Sequence, residues 1–286
     1  MGRIKQFYQL AKPGIVYGNL MTASAGFLFG ARFHIDWVLC AATLAGTALV
    51  IGSACAYNNI LDRRIDKKMQ RTSKRALVTG EISTTQAFTF ATLLGAIGFA
   101  LLALLTHPIV VLVGAIAFID YVFLYGWAKR HSVHGTLVGS ISGSAPLVAG
   151  YVAAVNRFDM TALILFGIMA AWQMAHFYAI AMYRASDYKN AGIPVLPVVR
   201  GMQAARTQIL VYIALFLVLN GLLFTSGATG YVYVIIMVVV SADWLQRGLK
   251  RYKVATDVKW GKQMFFYSLT VLLLFSSALV LDPLLP

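Results

Sequence analysis

Long apolar stretches alternate with polar breaks along the chain. Each stretch is near twenty residues, the length a helix needs to cross about 30 Å of hydrocarbon. Nothing alternates with the ~10-residue rhythm of a membrane barrel. The pattern predicts nine transmembrane helices, at roughly 15–32, 37–57, 87–105, 109–127, 136–155, 161–182, 209–226, 229–246 and 264–281. No Pro/Ser-rich linker or composition break interrupts the series, so one domain is expected over residues 1–286. The fold class predicted is an all-α polytopic membrane protein, because helices satisfy their own backbone groups in lipid.

Composition agrees. The chain is 59% hydrophobic and 12% charged, against about 25% charge in a soluble domain. Cys40 and Cys55 both fall in the second apolar stretch and read as small buried hydrophobes, not as a disulfide or metal pair. Met1 to Lys5 lead directly to a first span too long for a signal-peptide core, and there is no Arg/Ser-rich transit segment. A bacterial inner membrane is the expected location.

The net charge of +14 changes meaning once it is mapped onto the spans. With the N-terminus inside, the inner segments hold three basic residues before the first span, seven from Arg63 to Arg75, then Lys129 and Arg130. Four more follow (Arg184, Lys189, Arg200, Arg206), and six between Arg247 and Lys262. That accounts for 22 of the 24 Lys and Arg, leaving Arg32 and Arg157 outside. The excess sets orientation by the positive-inside rule, with a cytoplasmic N-terminus and a periplasmic C-terminus, and argues against nucleic acid as a partner.

Candidate chemistry lies in the long inner loops. Asn58, Asp62 and Asp66 recur every four residues, so on a helix they share one face over roughly 12 Å. Hard oxygen ligands at a membrane surface suit Mg²⁺ shared with phosphate oxygens. The plainer reading is a helix end whose acids pair with Arg63 and Lys67. In the loop after the sixth span, Asp187 is a candidate metal ligand, and Arg184 and Lys189 are candidate phosphate donors. Alternatively, the loop is a helix end stopped by Gly192-Ile193-Pro194. Lys129 and Arg130 follow an interfacial Trp127, as anchors or as phosphate donors. Asp120, inside the fourth span, is either functional or bonded to a neighbouring helix. His176 is a packing residue or a haem contact. The small-residue runs Ala41–Gly46 and Gly139–Ser144 fit close helix approach.

Asn58-x-x-x-Asp62-x-x-x-Asp66 followed by Arg71-Thr72 resembles the first metal motif of the UbiA-type intramembrane prenyltransferase superfamily. Further marks resemble its protohaem IX farnesyltransferase (haem O synthase) branch. These are Lys12-Pro13-Gly14, Lys129 to Thr136, Trp172-Gln173-Met174 with His176, and Asp187-Tyr188 leading to Ala191–Val199. The likeness runs from about residue 5 to 262. It implies a bundle around a central cavity capped by the two acidic cytoplasmic loops. The implied reaction is farnesylation of a vinyl group of haem B, with farnesyl diphosphate and water giving haem O. Haem B is then a substrate and not a permanent cofactor.

The resemblance implies a site in which Asn58, Asp62, Asp66 and Asp187 hold one or two Mg²⁺. Asp62, Asp66 and Lys129 are catalytic; Arg71, Lys129, Arg130, Arg184 and Lys189 bind diphosphate; His176, then His131, contacts haem. Members often carry a second carboxylate near Asp187, where this chain has Ser186 and Ala191. Partners beyond the bilayer are expected to be haem A synthase or the terminal-oxidase assembly. A UbiA-type enzyme acting on a quinone precursor, and a transporter, are the competing readings.

Overall fold

The computed structural model describes residues 2–250 and 256–284. Arg251 and Lys253, counted above among the inner basic residues, lie outside them.

Among the described residues, nine long helical segments make the bundle: α2 (Pro13–Ala31), α3 (Trp37–Asp66), α5 (Thr84–Leu105), the span Pro108–His131, α8 (Gly135–Val155), α9 (Met160–Tyr183), α12 (Gly201–Thr225), α13 (Tyr231–Lys250) and α14 (Asp257–Leu281). α6 (Pro108–Ile119) and α7 (Tyr125–His131) join through a π-helical turn, Asp120–Leu124, into one span, Pro108–His131. All but α2 have the length and hydropathy of membrane spans. Asn19, Thr22 and Ser24 dilute the 19 residues of α2. Short helices lie at the surface: α1 (Arg3–Leu10) before α2, α4 (Ala76–Thr79) before α5, and α10 (Ala185–Ala191) and α11 (Leu196–Val199) between α9 and α12.

The largest departures from the expected spans are the end of α3 and the starts of α12 and α14. α12 begins at Gly201 and α14 at Asp257, each about two turns earlier than hydropathy indicates. The extra turns carry charge that is satisfied: buried Arg206 donates from Nε to Asp257 Oδ1 at 3.0 Å, with its guanidinium 5.1 Å from the Trp260 ring centroid. α3 runs past its apolar part as one 30-residue helix. At 1.5 Å per residue it is about 45 Å long, so its last turns stand clear of the hydrocarbon. Asp36 starts it, its carboxylate accepting the Val38 and Leu39 N–H groups at 3.0 Å.

α9 occupies the middle, packed against α8, α12 and α14. Small residues permit the closest approaches. A Cβ added to Gly26 or Gly150 would fall inside the contact radius of the Leu147 or Ala23 carbonyl oxygen, so α2 and α8 meet backbone to backbone. The two runs expected at interfaces are there: Gly46 faces Leu102 and Gly98 of α5, and Gly143 faces Gln173 of α9. Both cysteines are free; Cys55 is buried and Cys40 half-buried.

Candidate functional site

The polar row at the end of α3 is buried: Asn58, Asp62 and Asp66 are 3%, 8% and 5% exposed. Buried carboxylates need partners, and here they come from other segments. Lys129 Nζ bonds Asp62 Oδ2, and Arg130 Nη2 donates to Asp62 Oδ1 at 2.9 Å. Arg75 Nη1 donates to Asp66 Oδ2 at 2.6 Å. Asn58 Oδ1 accepts from Lys12 Nζ at 3.3 Å and from Lys129 Nζ at 3.4 Å, while Asn58 Nδ2 is buried without a partner. The local pairing with Arg63 and Lys67 does not form; both side chains are exposed.

Four cations therefore converge on two carboxylates and an amide. Lys12, Arg75, Lys129 and Arg130 leave the inner cluster two positive charges in excess. Such a cluster attracts an anion. Burial, reinforced by the nearby Arg75 and Lys129, lowers the Lys12 pKa to about 8, against the opposing pull of Asp62. Its backbone lies in the left-handed region (φ 54°, ψ 66°) just before Pro13, a conformation that costs about 1–3 kcal/mol. Tyr121 and Tyr125 stack at 5.5 Å beside the cluster, and Lys129 Nζ lies 5.1 Å from the Tyr125 centroid.

The donor set fits Mg²⁺. It consists of carboxylate and amide oxygens, with no thiol or imidazole among them. The surplus of cations suits an ion that arrives with an anionic ligand.

The second loop packs onto the first. Ala191 and Ile193 pack with Met69, Ile65, Tyr188 and Val195. Burial raises the Tyr188 pKa, and Arg71 and Arg184 oppose the rise, so exposed Arg71 lies at the seam between the loops. Asp187 faces Arg184 at 3.8 Å. Among the described residues no three His, Cys, Asp or Glu gather in metal-binding range, so Asp187 does not join Asp62 and Asp66 in one cluster. Lys189 is exposed. Gly192, at φ 71°, ends α10 as the Gly-Pro stop predicts.

His176 sits apart, between α9 and α14. Its Nδ1 is 2.7 Å from Ser268 Oγ, its ring stacks on Trp172 at 4.7 Å, and Phe265 lies 4.9 Å away. Trp172 Nε1 donates to Ser268 O at 2.8 Å, so Trp172 and His176 share the α14 side. Gln173 faces α8 instead and donates to Ser144 Oγ at 3.4 Å. His131 is exposed and stacked on Trp127. Asp120 opens the π turn and accepts the Ser142 N–H at 3.1 Å, its Oδ1 unpartnered; π turns frequently mark functional sites.

From the sequence, Lys12 and Asn59 have no site role, and Arg75 counts only as one of the basic residues that follow the acidic row. Lys12 was visible in Lys12-Pro13-Gly14, and Arg75 in the basic run. Asn59 gave no signal beyond its neighbour Asn58.

The profile of the UbiA prenyltransferase family matches residues 19–270. The protohaem IX farnesyltransferase of Serratia proteamaculans is 45% identical over 280 residues, covering 98% of this chain and 95% of that protein. Protohaem IX farnesyltransferase 2 of Chromobacterium violaceum is 46% identical over 282 residues, covering 98% and 93%. Among solved structures, a UbiA homologue from Archaeoglobus fulgidus bound to GPP and Mg²⁺ superposes with TM-score 0.75 at 17% identity, over 96% of this chain and 99% of that one. A structure concerned with digeranylgeranylglyceryl phosphate synthase superposes with TM-score 0.82 at 17% identity, covering 99% of each.

Proposed function

The chain belongs to the UbiA prenyltransferase family, and on that footing we propose that it farnesylates haem. The farnesyl group of farnesyl diphosphate joins a vinyl group of haem B, water adds, and haem O and diphosphate leave. The chemistry rests on one observation: four cations enclose the buried Asn58–Asp62–Asp66 row at the end of a transmembrane helix. The acceptor rests on near-full-length relatives that carry this activity in their names.

One or two Mg²⁺, held by Asn58, Asp62 and Asp66 with Asp187 in reserve, would neutralise the leaving diphosphate as charge builds on it. Lys129 and Arg130, now on Asp62, donate to the diphosphate oxygens, together with Lys12, while Arg75 stays on Asp66. Arg71, Arg184 and Lys189 approach the same anion from the loop seam. Bond cleavage leaves an allylic cation, and the faces of Tyr121 and Tyr125 stabilise it. The buried setting keeps water away until the carbon–carbon bond has formed. Haem is assigned to His176; with the ring stacked on Trp172 and Nδ1 beside Ser268 Oγ, contact is through its remaining edge. Exposed His131 is the second candidate.

The protein is multi-pass, and we place it in a bacterial inner membrane with its N-terminus cytoplasmic and its C-terminus periplasmic. Haem A synthase or terminal-oxidase assembly is the proposed consumer of the product. Diphosphate release from farnesyl diphosphate, measured with haem B or a quinone precursor as acceptor, tests the reading. Release that requires haem B supports it. Release with the quinone precursor alone points to the other acceptor class, and no release at all points to transport.

A further inference from the structure

Asn59 follows the first residue of the polar row and points elsewhere, because one helical step turns the side chain by about 100°. It is 3% exposed, and both polar atoms of its side chain are bonded. Its Nδ2 donates to the Leu10 carbonyl at 2.9 Å, and its Oδ1 accepts from Arg75 Nη1 at 2.9 Å. The same Nη1 donates to Asp66 Oδ2 at 2.6 Å. A chain of contacts thus runs from the end of α1 through Asn59 and Arg75 to the Asp66 carboxylate. Behind it lies a cavity of about 50 Å³ lined by Gln6, Gln9, Leu10, Asn59, Asp66 and Arg75.

We propose that Asn59 is a positioning residue of the metal site, holding Arg75 where it orients the Asp66 carboxylate. An arginine paired with a lone carboxylate follows that carboxylate or leaves with its next anion. A buried amide oxygen gives Arg75 a second, neutral acceptor that no cation displaces by charge neutralisation. The amide itself is fixed by the Leu10 carbonyl, two residues before Lys12, whose ammonium reaches Asn58 on the front of the same helix. Thr72 completes the arrangement, donating from Oγ1 to the Asp66 carbonyl at 3.0 Å. Outer groups that orient a ligating carboxylate typically change metal affinity 10–100-fold.

The inference rests on the reading of Asp66 as a metal ligand, and the test separates the two. Binding of Mn²⁺ with inorganic pyrophosphate to the full-length protein in detergent is followed by electron paramagnetic resonance, alongside the thermal melting point. Asn59→Leu is expected to weaken Mn²⁺ binding at least about tenfold in protein that still melts cooperatively. Arg75→Met, which keeps the Asn59–Leu10 bond, should do the same even if Asn59→Leu fails to fold. Because both act through one contact chain, the double variant should lose no more than the stronger single. Gln9→Ala, at the same cavity but outside the chain of contacts, should bind normally. Wild-type affinity in folded Asn59→Leu or Arg75→Met overturns the positioning role, as do additive losses in the double variant. If the unaltered protein binds no Mn²⁺, the metal reading fails and this inference with it.

Discussion

Both oxygens of Asp62 are held by cations that give way when a metal ion binds, while Arg75 stays on Asp66 Oδ2 and keeps that carboxylate oriented. The row lies at the end of α3, beyond the apolar packing that holds the bundle. Asp62→Asn or Asp66→Asn should therefore lower prenyl transfer by at least about a hundredfold and leave folded protein in the membrane. Near-normal turnover with Mg²⁺ and farnesyl diphosphate in either variant would remove the assigned role. His176→Ala should lose haem affinity while farnesyl diphosphate binding stays intact; if haem affinity and turnover both survive, His176 packs α9 on α14 and His131 becomes the candidate. The acids were legible in the sequence because helical period fixes which residues share a face. Their counter-charges were less so, since Lys12, Arg75 and Lys129 come from three segments that meet only in the fold. Asn59 was hidden for a local reason: one more polar residue at a helix end looks solvated.

Helices were the most legible elements, because bilayer thickness sets a length that hydropathy reports. Their ends were less so. α12 and α14 extend past the apolar pattern because Arg206 and Asp257 satisfy each other, a long-range pairing no local window contains. The π turn at Asp120–Leu124 is marked in the sequence only by the lone carboxylate of Asp120, which does not by itself foretell a change of helical pitch. The α2–α8 contact, with Gly26 and Gly150 against opposing backbone, escaped notice because isolated glycines in apolar helices carry many meanings. It gives a direct test. Gly150→Leu has no room, since even its Cβ would overlap the Ala23 carbonyl, and repacking strain is typically about 1–3 kcal/mol or more. A melting point several degrees lower in detergent is expected. Gly18→Ala, on the same helix pair with nothing near its Cβ, should be neutral or slightly stabilising. Equal melting points for the two variants would contradict the close contact.

Across the molecule, the 22-to-2 division of Lys and Arg under the proposed orientation would put both acidic loops on the cytoplasmic side. Reporter fusions near Lys74 should read as cytoplasmic and fusions at Pro286 as periplasmic; a cytoplasmic reading at Pro286 would break the arrangement of nine spans. That arrangement lets α10 and the segment 193–195 pack against Ile65 and Met69 at the end of α3, close to where the cations converge. The central claim, that the acceptor is haem, is tested most directly by mass analysis of haem extracted from cells expressing the chain. Haem B gaining the mass of one farnesyl group and one hydroxyl group is the predicted result. Unmodified haem, with the prenyl group found instead on a quinone precursor or nowhere, would contradict it.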